Sequence, residues 1–300
     1  MKRVARILAI AIGALLSVGA FFLAQAHIQI RTIDPPIPEV ASVLALTPSG
    51  PGPVALRVVN TATQGIEHPA FVLGWPDGRL FLFETGMDRE GARAFGAPME
   101  RFVGAAPIEP HGSVAEQMGD DILRVQGVAF SHLHHDHTGG VVSLCQATDH
   151  LLPRFHTRLQ AETRNYTTRP GAALLEEATC LVPKVVEGRA PAEISGFPGL
   201  FLIPAGGHTP GSTVLVATLP DRTWIFAGDI QNQKDDLLAN RPKAWAYSAL
   251  ITPEWPDRLE RLRRWLIALD AAPGATVIVS HDVDAARRDG VPDWPGAGRD

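Results

Sequence analysis

Ser131-His132-Leu133-His134-His135-Asp136-His137-Thr138-Gly139-Gly140 concentrates imidazoles and a carboxylate in the positions from His132 to His137. Ordinary solvated loops favour Gly, Asn, Asp and Ser rather than clustered histidines, so the stretch reads as a metal site. The apolar run before it, Val125-Gln126-Gly127-Val128-Ala129-Phe130, predicts a buried strand, and Thr138-Gly139-Gly140 predicts a turn into a helix. The candidate ligands therefore sit at a strand end. On extended backbone, side chains two apart point the same way, so His132 and His134 can grip one cation while His135 faces elsewhere, toward solvent or as a support for the ligands. Asp136 and His137 follow where the chain turns and can face a second cation.

Three later segments repeat this grammar of an apolar strand ending at a metal-competent residue. Phe201-Leu202-Ile203-Pro204 leads to Gly206-Gly207-His208-Thr209-Pro210-Gly211, Trp224 to Ala227 leads to Gly228-Asp229, and Thr276 to Val279 leads to Ser280-His281-Asp282. Asp282 is a further candidate support beside the last histidine. The candidate set is then His132, His134, Asp136, His137, His208, Asp229 and His281. A single four-coordinate ion would leave several of these unused, whereas two ions use them all if one carboxylate bridges.

In order and spacing these motifs resemble the metallo-β-lactamase superfamily of binuclear hydrolases. The His-x-His-x-Asp-His signature is matched by His132, His134, Asp136 and His137, and the later elements by His208, Asp229 and His281. The likeness spans roughly residues 54 to 282, with Glu84-Thr85-Gly86 standing where the family has Asp-Thr-Gly. It implies an α/β fold, a four-layer αββα sandwich with the metals in a groove along one edge. It also implies that His132, His134 and His208 hold one metal, that Asp136, His137 and His281 hold the other, and that Asp229 bridges. The mixed imidazole and carboxylate set suits two divalent ions, zinc first, with iron or manganese as alternatives. Two such cations sharing a water would give a hydroxide nucleophile near neutral pH, with Asp136 accepting the proton and returning it to the leaving group.

The superfamily cleaves β-lactams, lactones, thioesters and sulfate or phosphate esters, so the fold names no substrate. Asp229 argues against the zinc β-lactamases, which lack the bridging acid; the chain after His281 is short for the helical domain of the glutathione thioesterases, and no basic extension of the nuclease kind is apparent. Acyl-homoserine lactonases share the whole ligand pattern but carry a tyrosine three residues after the bridging aspartate, where this chain has Asn232. The expected substrate is a small-molecule ester or lactone, acyl-homoserine lactones included. The alternatives are a phosphodiester, sulfate ester or β-lactam hydrolase, or a non-catalytic metal-binding protein such as a diiron scaffold, although the glutamate that replaces one early histidine in those scaffolds is not seen here.

The 300 residues, 45% hydrophobic and 20% charged with a formal net charge of -5, suit a large globular domain and give no footing for nucleic acid. Lys2, Arg3 and Arg6 precede an uncharged stretch from Ile7 to Ala26, and Ala24-Gln25-Ala26 is a small-x-small step. This predicts export, either through a removed signal peptide or with the segment kept as an inner-membrane anchor, and so a periplasmic or secreted protein. The expected organisation is signal or anchor to residue 26, a proline-rich linker over 27–53, the hydrolase domain over 54–285 and a loose tail over 286–300. Within the domain, strands are expected at Val54 to Asn60, Ala70 to Gly74 and Arg79 to Glu84, and a capping box at Ser113 and Glu116. A helix is expected from Asp257 to Leu269, with Leu259, Leu262, Trp265, Leu266 and Leu269 on its buried stripe and Arg258, Arg261 and Arg264 off it. Cys145 and Cys180 either form a disulfide or remain buried thiols. The oligomeric state is left open.

Overall fold

In the computed structural model, which describes residues 2–296, two β-sheets pack face to face with helices on both outer faces. The first sheet holds β1 (Ala55–Thr63), β2 (Glu67–Gly74), β3 (Leu80–Phe83), β4 (Glu109–Pro110), β5 (Val125–Ala129), β6 (Leu152–His156) and β7 (Leu181–Val185). Its order is β4-β1-β2-β3-β5-β6-β7. The second holds β8 (Ala192–Glu193), β9 (Leu200–Pro204), β10 (Thr213–Thr218), β11 (Thr223–Phe226) and β12 (Ala275–Ile278), in the order β12-β11-β10-β9-β8. This is the expected αββα sandwich.

The central strands β3, β9 and β10 are almost continuously apolar because both faces of each sheet are covered there. Leu200 and Leu202 of β9 turn inward with Phe71, Phe81, Phe83 and Phe226 to fill the space between the sheets. Phe201 and Ile203, the alternate residues, turn outward with Val214 and Val216 onto Leu259, Leu262, Leu266 and Leu269 of the helix Pro256–Asp270. On the other outer face, Val72, Leu82 and Val128 meet Val114, Leu144 and Leu175 from the helices Val114–Met118, Val141–Ala147 and Arg169–Glu177. Each fully buried Leu, Val or Phe contributes roughly 1.5–3 kcal/mol, so three such layers make this the dominant stabilising term. The capping box forms, with Ser113 accepting from Glu116 N and Glu116 accepting from Ser113 N.

Several expectations need correction. β2 begins at Glu67 rather than Ala70, which brings His68 into the sheet. Arg258 is buried, not off the packed stripe, because its guanidinium donates to Asp34 Oδ1, 2.6 Å away, and to the Ala205 and Pro35 carbonyls. The stretch after residue 26 packs on the domain instead of linking to it: the N-terminal helix Lys2–Arg31 runs on past Ala26, Ile30 and Val43 are fully buried, and Asp34 meets Arg258. Beyond Asp282 the chain forms the helix Val283–Arg288, then Val58 N donates to Pro292 O and Trp294 N donates to Val58 O. That end is anchored as far as it is described; residues 297–300 of the expected tail lie outside the described residues.

Cys145 and Cys180 are joined by a disulfide, which ties the helix following the histidine cluster to the entry of β7.

Candidate metal centre

Strand direction explains why residues far apart in sequence meet. β3, β5 and β6 run parallel, so the chain leaving β5 at His132 emerges on the same edge as Glu84 after β3. β2 runs antiparallel to β3, and its first residues, Glu67 and His68, return to that edge. In the second sheet β11 and β12 are parallel and deliver Asp229 and His281 together. Gly228 makes the turn before Asp229 with φ +56°, and a Cβ there would lie 2.7 Å from Ser131 Cβ. The Glu84-Thr85-Gly86 turn is stitched to the cluster by Thr85 N donating to His137 O and Gly140 N donating to Gly86 O, both at 2.9 Å. A Cβ on Gly140 would lie 2.3 Å from the Thr85 carbonyl oxygen, so only glycine permits that approach.

Two donor sets result. His132 Nε2 and His134 Nδ1 are 2.9 Å apart, His208 Nε2 is 3.2 Å from each, and Asp229 Oδ2 is 3.5 Å from His208 Nε2. Asp136 Oδ2 is 3.8 Å from His137 Nε2 and 3.6 Å from His281 Nε2, while Asp229 Oδ1 is 3.4 Å and 3.2 Å from the same two nitrogens. Ligands about 2.0 Å from a tetrahedral ion are separated by about 3.3 Å, so both sets have the spacing of ion-binding shells. Asp229 offers one oxygen to each. All seven residues singled out from the sequence thus converge.

The outward nitrogens of four of the five histidines are hydrogen-bonded, each to a different group, and that of His137 faces a carboxylate without a hydrogen bond. His132 Nδ1 meets Ser131 Oγ and His134 Nε2 meets Thr167 Oγ1, each at 2.9 Å. His208 Nδ1 lies 2.6 Å from Glu254 Oε1, His281 Nδ1 lies 2.6 Å from the Glu67 carbonyl oxygen, and His137 Nδ1 lies 3.3 Å from Glu84 Oε1. Such partners fix each ring with its other nitrogen turned inward as a lone-pair donor. Asp229 Oδ1 is buried without a hydrogen-bond donor, as is His137 Nε2. A buried, unpaired carboxylate oxygen is costly without a positive charge, and the residues present fit a pair of divalent cations.

Electrostatics agrees. Burial first, then the neighbouring imidazoles, hold His132 well below its ordinary pKa; burial and then His208 lower His134 to about 3. Burial and then Lys243 lower His208. These rings stay neutral, as metal ligation requires. For Asp136 burial alone would raise the pKa, but His137 and His68 outweigh it; for Asp229 His281 and Lys243 do the same, so both carboxyls stay ionised. Burial is outweighed around His137 by Glu84, then Asp136 and Asp229, and around His281 by Asp229, then Asp136, so both rings are raised above the ordinary value. The surroundings of this half of the site thus favour a positive charge.

Four residues of the site carry no motif in the sequence. His68 is 2% exposed, with Nδ1 3.3 Å from Asp136 Oδ2, and it groups with Asp136 and His281 as a further metal-competent set. Glu254 backs His208 and takes a hydrogen bond from Lys243 Nζ at 3.0 Å. Lys243 Nζ also donates to the Asp229 carbonyl oxygen at 2.6 Å. Tyr247 reaches the site from the irregular segment after Asn240. His135 is half-buried against Phe95, with ring centroids 6.4 Å apart, rather than turned to solvent. Asp282 caps the helix that follows it, its Oδ1 accepting from Ala285 N, and its Oδ2 accepts from Lys234 N, so it supports backbone and not the ligands.

A cavity of about 390 Å³ opens onto Asp136, Asp229 and His281. Phe95, Pro98, Met99, Tyr247 and Ile251 supply much of its wall, and Asn232 also faces it. No Arg or Lys is among the described residues lining it.

Residues 66–281 match the family model of the metallo-beta-lactamase superfamily. Solved structures with the same architecture include an N-acyl homoserine lactone hydrolase with N-hexanoyl-L-homoserine bound at its catalytic metal centre, at 17% identity and a TM-score of 0.58, covering 80% of this chain and 97% of that one. A B. thuringiensis AiiA variant with N-decanoyl-L-homoserine at its active site matches at 17% identity and a TM-score of 0.57, over 80% of this chain and 97% of that one. A probable metal-dependent hydrolase from Staphylococcus aureus matches at 12% identity and a TM-score of 0.53, over 77% and 90%. A search of curated proteins finds no match to the chain.

Proposed function

Because the chain belongs to the metallo-β-lactamase superfamily, we propose that it is a two-metal hydrolase that opens an ester or lactone, with acyl-homoserine lactones the first class to test. The observation that carries this reading is the set of five histidines, four with their outward nitrogens hydrogen-bonded and the fifth backed by Glu84, around an aspartate facing both halves of the site. When bound, two divalent ions, zinc first with iron or manganese as alternatives, would acidify water and polarise a carbonyl oxygen. His132, His134 and His208 would hold one, Asp136, His137 and His281 the other, with Asp229 between them.

The chain's own groups supply the rest. Asp136, ionised and open to the cavity, is placed to take a proton and return it to a leaving alkoxide. Asn232 retains an amide, its Oδ1 buried without a partner, which can donate a hydrogen bond but not a proton. The phenol on the cavity wall is Tyr247 instead; burial first, then Asp229 and Glu254, raise its pKa well above the ordinary value and keep it a hydrogen-bond donor. A wall of Phe95, Pro98, Met99 and Ile251, with no Arg or Lys among the described residues lining the cavity, favours an uncharged acyl compound over a phosphate or sulfate ester.

We place the hydrolase domain, residues 54–285, outside the cytoplasm, in the periplasm or beyond. The disulfide and the N-terminal apolar helix support this placement.

The deciding experiment pairs metal analysis of the purified chain with a turnover screen of homoserine lactones, aryl esters, phosphodiesters and nitrocefin. About two ions per chain and turnover of lactones or esters are expected. No more than one ion after zinc reconstitution, or a phosphodiester cleaved while lactones and esters stay intact, overturns the proposal.

A further inference from the structure

The N-terminal helix and the cavity wall share one piece of backbone. His27 Nε2 lies 2.9 Å from the carbonyl oxygen of Ala249, inside the helical turn Tyr247–Ile251. Tyr247 and Ile251 of that turn line the cavity, and Tyr166 donates from its hydroxyl to the Ile251 carbonyl oxygen. Ala26 and Ile30 are buried against the domain, and Gln29 donates to the Arg164 carbonyl oxygen. The helix is therefore seated beside the cavity mouth over its last turns. Before them it stands clear, with Leu15, Leu16 and Phe21 all more than 60% exposed, and the stretch Arg6–Arg31 is apolar enough to cross a membrane. At 1.5 Å per residue, residues 6–25 ahead of the buried Ala26 extend about 30 Å, which matches the roughly 30 Å of a hydrocarbon core.

The rim beside this helix is apolar as well. Trp245, just before the turn that His27 touches, is 75% exposed, and Leu250 within that turn is 57% exposed. The helix Arg89–Val103, which supplies Phe95, Pro98 and Met99 to the cavity wall, ends in Phe102 and Val103, 78% and 66% exposed. Arg164, ion-paired with Glu176, and Arg169 line the cleft between the domain and Phe22 and Gln25 of the N-terminal helix, the level at which anionic headgroups would lie. Exposed aromatic and aliphatic side chains at the end of a membrane-length helix, with arginines at its foot, are the pattern of a surface resting on a bilayer.

We propose that the N-terminal helix is retained and seats the cavity mouth on the lipid bilayer it enters, so that the substrate is an amphiphile whose acyl chain passes from the membrane into the cavity. The small-x-small step Ala24-Gln25-Ala26 lies inside the docked helix, with Ala26 2% exposed. The substrate class rests on the ester or lactone reading above; the membrane seating does not.

The test uses the full chain reconstituted in vesicles of phosphatidylcholine and phosphatidylglycerol. Lipids brominated near the headgroup end of their chains are expected to quench a component of the tryptophan fluorescence that disappears in Trp245→Phe. A variant carrying Trp245→Ser, Leu250→Ser, Phe102→Ser and Val103→Ser changes only exposed side chains outside the cavity lining. It is expected to keep turnover of a short, water-soluble ester or lactone within about twofold and to lose roughly tenfold or more on a long-chain substrate held in the vesicles. Mass analysis of the membrane fraction is expected to show the chain intact from its N-terminal segment. A soluble chain beginning at His27, Trp245 fluorescence unaffected by brominated lipid, or equal long-chain turnover in the rim variant overturns the proposal. Trp245 quenched while no ester or lactone of any length is cleaved upholds the seating and sinks the hydrolase reading instead. Soluble esters cleaved with Trp245 unquenched does the reverse.

Discussion

Glu254 grips His208 from behind: its Oε1 lies 2.6 Å from His208 Nδ1, on the far side of the ring from the nitrogen that faces His132 and His134. Burial alone would raise the Glu254 pKa, but Lys243 and His208 outweigh it and lower it to about 2, so the ring is backed by a full negative charge. A carboxylate so placed fixes the tautomer and raises the basicity of the inward nitrogen. Glu254→Gln keeps the shape and loses the charge. Zinc affinity is expected to fall by roughly 10–100-fold, read by competition against a chromophoric chelator, with the far-ultraviolet circular dichroism unchanged. Unaltered affinity would show that Glu254 serves only to neutralise Lys243.

Asp229 faces both donor sets, with Oδ2 3.5 Å from His208 Nε2 and Oδ1 3.2 Å from His281 Nε2. Asparagine has a single oxygen acceptor and no charge, so Asp229→Asn cannot serve both. Metal analysis after gel filtration is expected to give about two ions per chain for the natural protein and about one or fewer for the variant, with hydrolysis reduced by at least roughly tenfold. Retention of both ions by Asp229→Asn would refute the bridging role.

The ligands were legible in the sequence because each follows an apolar strand, and parallel strands leave their ends on one edge; that holds for His132, Asp229 and His281 alike. His68 was hidden by its neighbour. The sequence predicts the strand only from Ala70, and Pro69 has no N–H to give a ladder, yet Asn60 pairs opposite Pro69 and the strand continues to Glu67. Lys243, Tyr247 and Glu254 come from a segment without periodicity, placed by ion pairs and packing that no local pattern announces. The burial of Arg258 depends on Asp34, a partner 224 residues away in sequence. Long-range pairing of this sort lies outside what helical or strand spacing can carry.

The Cys145–Cys180 bridge has a testable energetic role. The residues are 35 apart, and Cys180 is buried in the layer that includes Val141 and Leu144, directly after the histidine cluster. Opening a loop of that length costs roughly 3–4 kcal/mol by the chain-entropy estimate. The double variant Cys145→Ser/Cys180→Ser is expected to unfold at a lower guanidinium concentration by a corresponding amount, with a similar decrease on reducing the natural chain. If the transition midpoint is unmoved, the bridge contributes nothing to stability.

Tyr247 and Asn232 separate two accounts of how a substrate carbonyl is held. Both line the cavity, and the likeness to acyl-homoserine lactonases implies a phenol at the position where Asn232 stands. The raised pKa of Tyr247 keeps its hydroxyl protonated at neutral pH, which suits a donor aimed at a developing oxyanion. Losing one such donor costs on the order of 10²–10³-fold in kcat. Tyr247→Phe is therefore expected to lower kcat by an amount of that order with KM little changed, whereas Asn232→Ala should lower it less. Steady-state kinetics on a soluble ester or lactone would decide. A large kcat loss in Asn232→Ala with Tyr247→Phe unaffected would assign the contact to the amide and leave Tyr247 as wall.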